Sequence, residues 1–247
     1  MDKNQNEDNK IEDLLTQMEQ IPDDYEPDAR YFEIDEFRNA LDSLEKAHLF
    51  LSNFDDSYRW KWVSSSLLSA LYGLMICALT GSNYVKVIDF SRMDKESKNR
   101  IKALSRISST KAYLERCEIE NNFLDSSKAK LISFQVALER IQDEKYMVPY
   151  TFSETIEISE TEKENILRLK NDFRNQFEHY RPLSWMINQE VFIPLVRDTM
   201  SVIKKLLNNF NITIHHSSNR LSIAILHCVW IDRLITENEE KLEIAGR

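Results

Sequence analysis

The sequence predicts an all-α protein, and three observations carry that prediction. Glycine (3) and proline (5) are scarce among 247 residues, roughly 3 per cent where roughly 12 is usual, so long helices joined by few loops are expected. Apolar residues recur at steps of three and four through several segments, the spacing of one helical face. No run keeps the alternation of a half-buried strand long enough to compete. The length fits one large domain or a domain with appendages. A shift in composition separates an acidic, flexible N-terminal segment, 1–30, from a helical domain, 31–247.

Within the acidic segment Ile11, Leu14, Leu15, Met18 and Ile21 form a weak amphipathic stretch ending at Pro22. It reads either as a loosely docked leader or as a partner-binding helix. Ile34 to Phe54 predicts the first helix of the body, with Ile34, Phe37, Leu41, Leu44, Ala47 and Leu51 on one side. Arg59 to Gly81 follows, and its 18 residues from Val63 to Thr80 carry no charge. That length reaches the lower limit for a membrane span. Four serines, Tyr72 and Gly73 favour instead a helix buried at the centre of a bundle. Ser66, Ser69 and Gly73 are small enough to admit a second helix closely, including the same helix of another subunit.

Ser82 to Asp94 reads as a connection, Lys95 to Glu118 as a helical region, and Asp125 to Asp143 as a helix with Leu131, Phe134, Leu138 and Ile141 inward. Lys145 to Phe152, with Pro149, reads as a linker or a short extended piece. The segment Ser159 to Trp185 is the one of most chemical interest. Ser159 and Glu162 have the spacing of a capping box. The stripe Ile166, Leu169, Phe173, Phe177, Tyr180 then faces a core until Pro182 closes the helix. Pro194 either kinks the next helix or stands near its start; that helix runs to Phe210. A last helix spans Ser218 to Glu240 with Leu221, Ala224, Ile225, Cys228, Ile231 and Leu234 inward. The body thus reads as six or seven helices without internal repeat.

The formal charge of −9 excludes a protein that coats nucleic acid through bulk electrostatics. Ten carboxylates against three cations give residues 1–30 a charge of −7, which leaves −2 for the rest. Against that near-neutral body, Arg92, Lys95, Lys98, Arg100, Lys102, Arg106 and Lys111 face only Asp94 and Glu96, a local balance of +5. Such a run is either a solvated face or a phosphate-contacting surface. The cysteines Cys77, Cys117 and Cys228 lack metal-ligand spacing and suit reduced thiols. With no apolar leader in MDKNQNEDNK, a cytoplasmic location is expected.

Arg174, Asn175 and His179 lie off the apolar stripe of the Ser159 helix. In a regular helix Arg174 and His179 stand about 140° apart and about 7.5 Å along the axis, whereas Asn175 and His179 are surface neighbours. His179 falls in the last turn, where the helix dipole favours the imidazolium. These residue types suit metal-independent RNA cleavage: an imidazole moves protons to and from the 2′ and 5′ oxygens, and a guanidinium stabilises the charged phosphorane. The bland alternative is an ordinary Arg174–Glu178 surface ion pair with a helix-terminal histidine.

The segment RNQFEH, Arg174 to His179, resembles the R-x4-H motif of the HEPN superfamily, including its polar residue after the arginine. The blocks RWKWVSSSLLSALYGLMICALTGSN (Arg59 to Asn83) and LRLKNDFRNQFEHYRPLSW (Leu167 to Trp185) resemble those of a bacterial HEPN subfamily. The resemblance implies a helical bundle, here with additional helices, whose members pair as homodimers so that two motifs form one composite ribonuclease site. It implies Arg174 on the phosphate, Asn175 assisting and His179 as acid–base, with no metal or other cofactor. Many members work in toxin–antitoxin or anti-phage systems, so an antitoxin or defence-system protein is an expected partner alongside RNA. Other members keep the fold as non-catalytic scaffolds that bind a protein or a nucleotide. One branch has a modifiable tyrosine two residues after the histidine, where this chain has Arg181.

Overall fold

A computed structural model of the chain describes residues 35–81, 84–148, 153–178 and 186–245. The acidic segment 1–30 and the positions of Ile34, His179, Tyr180 and Pro182 lie outside them. The regular elements among the described residues are all helices, joined by turns, irregular stretches and one isolated antiparallel bridge between Ile88 and Leu131.

Helix α1 (Glu36–Ser52) starts where the Asp35 carboxylate accepts the Arg38 N–H at 2.7 Å. It turns Phe37, Ala40, Leu44, Ala47 and Leu51 inward. Helix α2 (Arg59–Thr80) returns beside it and is the centre of the molecule, with Val63, Leu67, Leu71, Leu74, Met75 and Leu79 in the core. Over an 18-residue stretch its mean hydropathy of 1.7 would suit a membrane span, but two thirds (67%) of that stretch is buried inside the molecule, which accounts for its apolar length. The small residue Gly73 admits α1 of the same chain: a Cβ there would lie 2.9 Å from the Ala40 Cβ and 3.1 Å from the Glu36 carbonyl oxygen. Gly81, at φ 46°, ends α2 in a conformation that favours glycine.

Beyond two 3₁₀ turns (Tyr84–Val87, Phe90–Arg92), the expected helical region Lys95–Glu118 consists of α3 (Lys95–Leu104) and α4 (Thr110–Leu124). Serines cause the break. Ser105 Oγ donates to the Lys102 carbonyl, and Ser109 caps α4 by accepting the Ala112 N–H. The expected Asp125–Asp143 helix is likewise only α5 (Phe134–Arg140), capped by Ser133. The preceding residues instead give backbone bonds to the 3₁₀ region, Ile132 N–H to Val87 and Asp89 N–H to Lys130. Leu131 therefore stands outside the helix and exposed rather than inward. One further turn, α6 (Glu144–Met147), occupies the start of the segment expected to be a linker.

After an extended run from Ser153, α7 (Glu160–Arg168) begins with the expected capping box: Ser159 Oγ accepts the Glu162 N–H, and Glu162 accepts the Ser159 N–H. The helix then widens into a π segment (Leu169–Arg174), in which the Asn175 N–H reaches Lys170 five residues back, before a last turn α8 (Asn175–Glu178). The core stripe survives this change through Ile166, Leu169 and Phe173, while Phe177 is only half-buried. Pro194 stands in the first turn of α9 (Phe192–Leu207), where it needs no intrahelical N–H bond. A short α10 (Phe210–His215) and the long α11 (Ser218–Ala245) complete the bundle. In α11 Ile225 is exposed, not inward, while Leu221, Ala224, Cys228 and Ile231 are buried. Eleven α segments among the described residues thus replace the six or seven expected, because serine caps, the π segment and tertiary backbone bonds subdivide the longer patterns. All three cysteines are unpaired, and burial pushes the Cys77 and Cys228 thiols up to about 12.

Gly73→Ala should therefore lower stability despite the better helix propensity of alanine, because the added methyl meets backbone as well as Ala40. A loss of about 1 to 2 kcal/mol, with an unchanged denaturant slope, is expected in chemical unfolding.

Candidate functional site

The helix that carries Arg174 is fixed at both ends of its described span. At its start Glu162 accepts from Lys205 Nζ at 2.7 Å and from Ser201 Oγ at 2.7 Å, both on α9, while Asn165 donates to Asp198. Burial of the Glu162 carboxyl opposes ionisation, but the bonds from Lys205, Ser201 and Ser159 outweigh it and hold the pKa at about 2. At its far end Phe173 packs on Phe192 with ring centroids 4.7 Å apart, and Phe192 stacks on Trp60 of α2 at 5.4 Å. The outer face is thereby held in place while its polar side chains stay accessible.

On that face Arg174 is about one third exposed: its Nε lies 2.8 Å from Glu178 Oε1, and its Nη1 donates to Asn175 Oδ1 at 3.3 Å. Asn175 in turn donates to Asn171 Oδ1 at 3.5 Å, a weak bond at the limit of the range. The structure thus brings together Arg174, Asn175 and the Glu178 of the foreseen ion pair. His179 lies just beyond the described residues.

Arg174 also closes a cavity of about 280 Å³ between the π segment, α2 and α5, lined with Leu68, Ser69, Tyr72, Phe134 and Lys170. Lys170 is the residue sequence reasoning missed. Standing four positions before Arg174, it could have been found from helical spacing alone. Its ammonium donates to Asn171 Oδ1 at 3.1 Å and lies 5.9 Å from the Phe134 ring centre. Ser69, Tyr72 and Phe134 had no local signal, since they come from elements distant in sequence. The Tyr72 hydroxyl donates to the Ile132 carbonyl and is thereby committed to the fold. Chemically, two cations beside an amide at a partly apolar cavity offer a place for one phosphate group, which guanidinium and ammonium bind by charge-assisted hydrogen bonds.

The basic run is placed elsewhere. Arg92, Lys95, Lys98, Arg100, Lys102, Arg106 and Lys111 are all exposed. Lys95, Lys98 and Lys102 share one face of α3 by their spacing. Arg100 is instead committed to Glu115 of α4, its Nε donating at 2.7 Å, and Lys98 reaches the Ser91 carbonyl. Arg92 lines a separate cavity of about 290 Å³ with Met93, Ser97 and Phe123, so the run and Arg174 open onto different hollows. Among the described residues no group of three or more His, Cys, Asp and Glu side chains has a metal-binding arrangement.

Because folding lowers the Glu162 pKa, its stabilising contribution is complete above the unfolded carboxyl value of about 4.3 and fades as pH falls toward about 2. Glu162→Gln should cost about 1 to 2 kcal/mol at neutral pH, after allowance for solvent screening, and flatten the stability profile between those limits. Urea unfolding across that pH range reads both effects. Comparison of the chain with family models, with curated proteins and with solved structures gave no match.

Proposed function

We propose that the chain is a cytoplasmic, metal-independent endoribonuclease of the HEPN type. It cleaves RNA by attack of a 2′-hydroxyl at a site completed in a homodimer, in a toxin or anti-phage setting where an antitoxin or defence-system protein is its partner. The observation that supports this reading best is the placement of Arg174, Asn175 and Lys170 on one rigidly supported, accessible helix face, in the turns before His179. In the proposed chemistry Arg174 binds the scissile phosphate and offsets the charge that grows on its equatorial oxygens. Asn175 orients the phosphate or the imidazole. His179 takes the 2′ proton and returns one to the leaving 5′ oxygen, at the site or across the dimer. The product is a 2′,3′-cyclic phosphate and a 5′-hydroxyl, with no water consumed. The exposed α3 lysines, Lys95, Lys98 and Lys102, gather the RNA.

The pairing of Arg174 with Glu178 favours a second reading. A guanidinium already bound to a carboxylate suits a non-catalytic scaffold that holds a partner protein or a nucleotide. The pair is a partly exposed i,i+4 contact, worth about 0.3 to 0.5 kcal/mol, so a phosphate displaces it at little cost. The two readings separate in one assay. Purified protein is incubated with RNA in EDTA, and cleavage should fall about 100-fold or more in Arg174→Ala and in His179→Ala, with the fold intact by circular dichroism. Undiminished cleavage in either variant removes that residue from the mechanism, and absence of wild-type cleavage with a stable partner complex favours the scaffold.

A further inference from the structure

A second hollow, of about 380 Å³, lies on the same seam between α2 and the Arg174 helix. Tyr58, Trp60, Lys61, Gln176, Phe177 and Gln189 line it. Its volume lies in the range of small-ligand clefts, and its lining is mixed, with aromatic side chains beside two amides, a hydroxyl and a cation. The Trp60 ring, 3% exposed, is held by its stack on Phe192 and by its indole N–H, which donates to Gln189 Oε1 at 3.0 Å. Arg59 Nη2 donates to the same oxygen at 3.1 Å. Two donors on one oxygen fix the carboxamide of Gln189, so its NH₂ remains as a donor of set orientation. The Gln176 carboxamide has no hydrogen-bond partner among the described residues. Tyr58 stands at the rim with 69% of its surface exposed, and Lys61, which also lines the hollow, holds its ammonium over the neighbouring Trp62 ring at 4.5 Å.

An exposed tyrosine ring, two amides with free donors and a cation match the parts of one nucleotide. Aromatic rings stack on a base, amides pair with its edge and ammonium groups take its phosphate. The position of the hollow adds to this match. Gln176 and Phe177 follow Arg174 by two and three residues, while Lys61 precedes Ser69 of the Arg174 cavity by eight residues of α2, about 12 Å along the axis. We infer that this cleft is a base-binding subsite for single-stranded RNA: Tyr58 stacks on an unpaired base, Gln176 and Gln189 read its edge, and Lys61 holds the adjoining phosphate. The inference rests on the reading of the chain as an RNA-cleaving protein and gives that activity a source of base preference.

Binding without cleavage tests it. Isothermal titration calorimetry on the full chain uses four 2′-O-methyl homotetranucleotides, which lack the attacking hydroxyl, and the four nucleoside 5′-monophosphates. Circular dichroism checks each variant. The wild type should prefer one base among the tetranucleotides. Tyr58→Ala should weaken that complex about tenfold or more, Tyr58→Phe should keep it, and Gln176→Ala should narrow the differences among the four. Tetranucleotide binding that depends on Arg174 but is unchanged in Tyr58→Ala overturns the subsite and leaves the RNA reading standing. Mononucleotides bound as tightly as tetranucleotides, with the same dependence on Tyr58, would overturn the strand reading in favour of a free-nucleotide site. A wild type that binds no tetranucleotide overturns the subsite, and cleavage of unmodified RNA then decides separately whether the catalytic reading falls with it.

Discussion

A stretch of 18 residues without a charge must be kept from water, and the molecule is arranged to do so. Val63 to Thr80 gives α2 apolar side chains on nearly every side, so helices must cover it on several faces. α1 approaches closely over Gly73 and Ala40, α9 contributes Leu195, Val196, Ile203 and Leu206 to the same core, and the Ile166–Phe173 stripe closes another side. The last of these has a functional consequence. A helix with an apolar stripe against α2 must carry its polar residues outward, and those are Lys170, Arg174 and Asn175. Both cavities at that seam are lined by residues of α2 and of this helix.

Much of this was legible in the sequence where the controlling forces are local. The capping box at Ser159 and Glu162, the buried α2, the inward residues of α1 and the Arg174–Glu178 pair follow from spacing within one or two turns. The failures have a common cause. The segment before α5 has apolar spacing suited to a helix, yet its backbone pairs with residues 87–89, a contact that no local window contains. The π segment arises within a pattern that reads equally well as an unbroken α-helix. Arg174 and Asn175 were recognisable by residue type. Ser69, Tyr72, Phe134 and the aromatic cleft were not, because they join the site only when α2 and α5 fold against a helix roughly a hundred residues away in sequence for α2.

The site also has an internal balance of charge. Glu178 pairs with Arg174 while Lys170 adds a second cation to the cavity lining; on the proposed reading, an arriving phosphate would exchange with the carboxylate rather than enter an empty site. Such an exchange costs little at a partly exposed position. In the proposed reaction the proton chemistry falls to His179, and a second copy of the motif would complete the charge around the phosphorane.

The central claim concerns the chemistry of the bond broken, and the ends of the RNA products report it directly. A defined RNA, incubated with the protein in EDTA, should yield fragments ending in 2′,3′-cyclic phosphate and beginning with 5′-hydroxyl, and 2′-O-methylation at the cleaved nucleotide should abolish the cut. Fragments with 3′-hydroxyl and 5′-phosphate ends, or cleavage that persists after 2′-O-methylation, would contradict an attack by the 2′-oxygen.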